Sequence, residues 1–155
     1  MLLVVFQVAQ DRFGLDAALV VEVVPLAALR QAHHAPGYVA GLFNYRGAVV
    51  PVIDLTALLT GQPCPRLLST RIMLVTYSGA GGAQHVLGLL AERVLETATC
   101  AARDFQSPGI ASPEAPYLGD VLVDGDQMLR LITLAGLLPR SVQELLFPAC
   151  GEAAG

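Results

Sequence analysis

Lysine and tryptophan are absent from this chain of 155 residues, and charged residues of any kind make up only 14% of it. An average globular domain carries roughly 25%. All nine basic residues are arginine, which excludes Schiff-base chemistry on lysine and a phosphate-binding loop with its usual lysine. The arginines are scattered singly and the net charge is −4, so no basic stripe offers itself to nucleic acid. Cysteine is scarce as well. Cys64, Cys100 and Cys150 are odd in number, far apart and in no Cys-x-x-Cys pair, so neither a zinc site nor a disulfide framework is expected. They read as small apolar fillers or a stray thiol near the end.

A long unbroken apolar run is also lacking, although 54% of the residues are hydrophobic and the mean hydropathy is +0.59. A spanning helix needs about 20 mostly apolar residues in a row. The opening "MLLVVFQVAQ" is interrupted by Gln7 and Gln10 and then by Asp11 and Arg12. Arg30, Asn44, Arg46, Asp54, Arg71, Glu92 and Arg93 cut the later stretches. The start has neither the positive leader nor the cleavage site of a secretion signal. The expectation is a cytoplasmic protein without direct membrane insertion. Its apolar excess would then lie in buried β-structure or in surfaces covered by partners.

What is present reads as short strands and tight turns. Leu2–Val8 is β-branched and aromatic enough for a strand, and a second strand starts at Phe13–Asp16. "ALVVEVVPL" continues as a strand with Glu22 lodged among valines, and Pro25 stops it. Residues 26–32 have the composition of a short helical turn. Strands are expected at Gly41–Asn44 and through "AVVPVIDL", with Arg46 and Gly47 turning the chain between them. Pro51 favours an edge or a bulge, because proline cannot donate to a ladder. A short helix at Leu55–Leu59 ends at Gly61, and "GQPCPRLLST" is loop.

A second cycle of strands opens at "RIMLVTY", from Arg71, and "QHVLGLLAERVLETA" holds one or two more. Residues 100–116 read as loop. Tyr117–Val123 and Gln127–Ile132 are strands joined at Asp124-Gly125, a favoured hairpin turn. Thr133 is placed to cap a short helix to Leu138, Ser141–Leu146 forms a last helical turn, and "GEAAG" should fray. Nine or ten short strands with brief helices make the fold class mainly β, an all-β barrel or sandwich or two small barrels side by side.

Chemistry-bearing constellations are thin. His33 and His34 are adjacent and so diverge, and His85 is isolated, which gives no ligand spacing for a metal. Asp124 and Asp126 flank Gly125 like the start of a calcium loop, but the remaining ligands are missing and a hairpin turn explains both. "GAGG" at 79–82 is no dinucleotide loop, because no helix pattern follows it. The sequence points away from an enzyme, a metal and a cofactor.

The stretch "GLFNYRGAVVPVIDL", residues 41–55, sets Asn44, Tyr45 and Arg46 between two apolar runs. On local physics, Asn44 and Gly47 suit a left-handed turn, Arg46 is a solvated side chain, and Asp54 accepts backbone hydrogen bonds at the start of the helix from Leu55. The same stretch resembles the signature of CheW-like chemotaxis adaptor domains, with Gly41, Asn44, Arg46, Gly47, Pro51, Asp54 and Leu55 in place. "FGLDAALVVEVV" upstream resembles that family's second and third strands. "HVLGLLAERVLE" and "YLGDVLVDGDQMLRLITLAGLL" resemble its later strands, last hairpin and helix, so the likeness covers roughly residues 2–139.

The resemblance implies two small five-stranded, barrel-like lobes packed together in one domain over residues 1–140, followed by a short helix and tail over 141–155. It implies a non-enzymatic adaptor that couples the signalling tip of a chemoreceptor to the regulatory domain of a CheA-type histidine kinase, recruited to membrane-associated arrays. Arg46, Asn44, Tyr45, Glu22, Val20 and Val49 are the partner-binding residues it implies, with Gly41, Gly47, Pro51 and Asp54 shaping the motif. Tyr45 stands where the family often has leucine, and Ala91-Glu92 replaces its usual Val-Asp. Those departures leave open which receptor or kinase is bound, and they suit a paralogue serving a surface-sensing or second-messenger pathway. Self-association or pairing with paralogous adaptors is a further expected mode of contact. The alternative is a small-ligand module or enzyme using the groove between the lobes.

Overall fold

Strand-forming runs account for about half of the described residues. The computed structural model describes residues 1–109, 113–124 and 126–148. Within them lie β1 (Leu2–Val8), β2 (Asp11–Asp16), β3 (Val20–Pro25), β4 (Val39–Tyr45), β5 (Ala48–Asp54) and helix α1 (Leu55–Thr60). There follow β6 (Arg71–Ser78), β7 (Gln84–Ala91), β8 (Arg93–Thr99), β9 (Phe105–Gln106), β10 (Leu118–Asp124), β11 (Gln127–Ile132) and helix α2 (Arg140–Leu146).

The strands form two sheets: six strands in the order β8-β1-β2-β11-β10-β9, and five in the order β3-β6-β7-β5-β4. The protein is mainly β with short helices, and the sixth strand is the two-residue β9. It lies inside the 100–116 stretch expected to be loop, where its pairing with β10 supplies what local propensity did not. The strands from Arg71 complete the sheet of β3, β4 and β5, and β8 then returns beside β1.

Both faces of several strands are covered, and this accounts for their near-continuous apolar runs. In β6, Met73, Val75 and Tyr77 enter a central core drawn from both sheets, while Ile72 and Leu74 face a smaller core with Val50, Val52, Cys64 and Leu90. β1 divides in the same way, with Val4, Phe6 and Val8 in the central core and Leu3 and Val5 in a third cluster with Cys100 and Leu129. Burying such a side chain is worth about 1.5–3 kcal/mol. Three cores in so small a protein take up much of the 54% hydrophobic content.

The five-stranded sheet curls until its outer strands approach. Residues 26–32, expected as a helical turn, contain no helix. Arg30 instead exchanges two backbone hydrogen bonds with Leu42 of β4, at 2.9 and 2.7 Å. A ladder across the closing gap outweighs a weak local preference. Gly41 permits the approach: its φ is +151, and a Cβ there would lie 2.5 Å from the Arg30 carbonyl oxygen.

Other local expectations shift. β5 is internal in its sheet, but pairing with β7 begins at Val52, so Pro51 sits where the ladder registers a partner only on the β4 side. Thr133 precedes a 3₁₀ turn without capping it; its hydroxyl donates to the Tyr117 carbonyl at 3.2 Å. β10 and β11 pair out to Asp124 and Gln127. The turn residue Gly125, Cys150 and the tail expected to fray lie outside the described residues.

Candidate functional site

The turn between β4 and β5 is two residues long, with Tyr45 paired to Ala48. Arg46 and Gly47 both have positive φ, +52 and +87, the left-handed geometry that matches the twist of a tight hairpin. Asn44 serves the turn locally, its Oδ1 accepting the Gly47 N–H at 3.0 Å. Asp54 caps α1 through Oδ1, which accepts from Ala57 N–H at 3.1 Å, and its Oδ2 accepts from Cys64 N–H at 2.9 Å.

The turn meets β3 across the closing gap. Tyr45 Oη donates to Glu22 Oε1 at 2.7 Å, and Arg46 Nη2 lies 3.1 Å from the same oxygen. The Arg46 guanidinium carbon stands 5.0 Å from the centre of the Tyr45 ring, and that ring stacks on Phe43 at 6.4 Å. The hydrogen bond to Glu22 raises the Tyr45 pKa above the usual tyrosine value. Arg46 stays 75% exposed, so its pairing with Glu22 is a solvated one, worth at most about 1 kcal/mol. The cluster therefore orients an arginine more than it holds the fold. Tyr45→Phe should remove that fixing bond, leave the fold intact and lower the melting temperature by no more than about 3 °C in calorimetry. A collapse of the fold would make Tyr45 structural.

The structure brings Glu22, Tyr45 and Arg46 into direct contact, with Asn44 bound into the same turn. Val49 pairs with Asn44 and is 72% exposed. Val20 is half-buried and packs against the central core. The outward positions on β3 are Val21 and Val23. Sequence reasoning missed both; with Glu22 half-buried, strict alternation puts its neighbours on the outer face.

A second surface was not located from the sequence. Between the six-stranded sheet and α1 runs an open cleft of about 680 Å³. Val8, Phe13, Val121 and Met128 form one wall, and Leu59 and Thr60 the other. Arg12 on its rim already pairs with Glu96 at 2.7 Å and donates to Gln127. Among the described residues, no three of His, Cys, Asp and Glu lie together to hold a metal ion. No helix among them is long and apolar enough to cross a membrane.

A pair of β-sheets with an exposed arginine at a closed edge and an apolar cleft defines a class: a small two-sheet β protein with short helices. More closely, the chain belongs to the CheW-like domain family, whose profile matches residues 2–142. It is 31% identical to "Chemotaxis protein CheW" of Rhizobium meliloti (strain 1021), over 92% of this chain and 90% of that one. It is 28% identical to "Protein FrzA" of Myxococcus xanthus, over 89% and 85%. Among solved structures, it resembles the scaffolding protein TtCheW from Thermoanaerobacter tengcongensis with a TM-score of 0.74 and 26% identity, covering 86% and 84% of the two chains. The family is one of scaffold adaptors in chemotaxis signal transduction.

Proposed function

We propose that the protein couples chemoreceptor signalling tips to a CheA-type histidine kinase as a non-enzymatic adaptor, working in the cytoplasm at membrane-associated arrays. An adaptor has to hold two partners at once. The observation that carries the reading is the presence, on one small chain, of two separate surfaces whose chemistry suits recognition. One is the Glu22–Tyr45–Arg46 edge, where an arginine oriented by its neighbours keeps donors for carboxylates or carbonyls of a partner. The other is the cleft, whose apolar walls suit the face of an amphipathic helix. Val49 and the outward valines of β3 add exposed apolar area near an interface of ordinary character. Self-association or pairing with paralogous adaptors would use the same edges.

The test is binding of the purified chain to a receptor signalling domain and to the kinase regulatory domain. Arg46→Glu should weaken at least one interaction about tenfold, with the melting temperature nearly unchanged. Equal affinities would remove Arg46 from the site, and a wild-type chain that binds neither partner would end the adaptor reading. A second reading, a small-ligand module, rests on the cleft, whose volume falls within the range of small-molecule sites. A metabolite retained on purification and identified by mass spectrometry, together with no binding to either partner, would favour it.

A further inference from the structure

Glu92 lies between β7 and β8, where the chain crosses from one sheet to the other. Its backbone N–H donates to the Gln7 carbonyl at 3.1 Å. Its side chain reaches further. Oε2 accepts from the Ala9 N–H at 2.5 Å and from the Thr56 hydroxyl at 3.1 Å. Ala9 belongs to the turn joining β1 and β2, and Thr56 is a buried residue in the first turn of α1. One carboxylate oxygen thus joins the two elements that flank the cleft: Val8 and Ala9 line it from one side, Leu59 and Thr60 from the other.

The turn it holds is an unfavourable one. Ala9 and Gln10 both have positive φ, +50 and +71, a geometry that glycine or asparagine would take readily and that costs an alanine or glutamine. Local sequence does not ask for this turn, so a tertiary contact has to hold it. Reach matters too. An aspartate here would be one methylene shorter, and its carboxylate could not meet both donors without a shift of the backbone.

We propose that Glu92 is a positioning residue that bolts the β1–β2 turn to α1 and so sets the spacing of the cleft walls. Its consequence for partner binding rests on the adaptor reading above. Spacing is measured directly with spin labels at Thr60→Cys and Met128→Cys, one on each wall, in a Cys150→Ser background. Cys64 and Cys100 are buried and stay unlabelled.

With native Glu92, the inter-label distance should show one narrow distribution. Glu92→Ala and Glu92→Asp should broaden or displace it and speed exchange of the Ala9 amide at least tenfold. Glu92→Gln should restore both, because its amide oxygen still accepts from the two donors. Thr56→Val should release α1 while leaving the Ala9 amide protected, which keeps the test readable if Glu92→Ala fails to fold. Distances and Ala9 exchange unchanged in Glu92→Ala would overturn the proposal. The same full chains are titrated with the purified receptor signalling domain, where Glu92→Ala should bind at least tenfold more weakly. Distances that respond while the wild type binds no partner would support the brace and end the adaptor reading instead.

Discussion

Gly41→Ala is expected to destabilise the protein by about 3 kcal/mol or more, the sum of backbone strain and a steric clash. At φ +151 an L-residue is strained whatever the space around it. Space is also missing: the new methyl would lie 2.5 Å from the Arg30 carbonyl oxygen and 2.9 Å from Leu29 Cβ. The nearer obstacle is backbone, which cannot swing away like the end of a long side chain. Relief requires the segment carrying Arg30 to retreat from β4, which breaks the two hydrogen bonds with Leu42 that close the five-stranded sheet. In a protein of this size the loss corresponds to a fall in melting temperature of roughly 6–12 °C. Gly47→Ala is the control. Its φ of +87 is also strained, but nothing lies within 4 Å of the added methyl, so about 1–2 kcal/mol is expected. Urea unfolding of both variants separates the two contributions, and equal losses would mean that the approach of Arg30 is not tight.

The strands and most turns were legible because each is a local property of the chain. β-branched runs such as "RIMLVTY" and the Arg46-Gly47 turn are set by residues within reach of one another in sequence. The site was legible only in part. Asn44 and Gly47 declare a turn, but Tyr45 and Glu22 are 23 positions apart, and their bond exists only because a sheet of five strands curls on itself. The same long-range closure left residues 26–32 without the helix of their local pattern and put Arg30 in a strand-like bridge to Leu42. The cleft was legible only as a groove between lobes, with none of its lining residues assigned. Its walls come from β1, β2, β10, β11 and α1, brought together only by the packing of two sheets. Glu92 stood out only as an acidic residue one methylene longer than the family's usual aspartate, and nothing in its neighbourhood of sequence names Ala9 or Thr56 as partners.

Asp54→Ala should cost about 2–4 kcal/mol, because one side chain satisfies two backbone donors. The carboxylate is 5% exposed and its two oxygens are divided, one to Ala57 N–H in α1 and the other to Cys64 N–H in the loop that follows. Alanine would remove the helix cap and leave a buried amide without an acceptor. Asparagine should fall between the two, since its oxygen can still serve one donor while its amide nitrogen cannot accept from the other. Chemical denaturation measures the loss, and the Cys64 thiol locates it. Burial pushes that thiol up to about 11, above its ordinary value, so near pH 8 it is protonated and shielded. Release of the loop in Asp54→Ala should expose it to an aromatic disulfide reagent, and its labelling should quicken at least tenfold while Cys100 keeps its wild-type rate. A loss below 1 kcal/mol with Cys64 still protected would show that the loop stands without Asp54, and that this part of the motif serves something other than the fold.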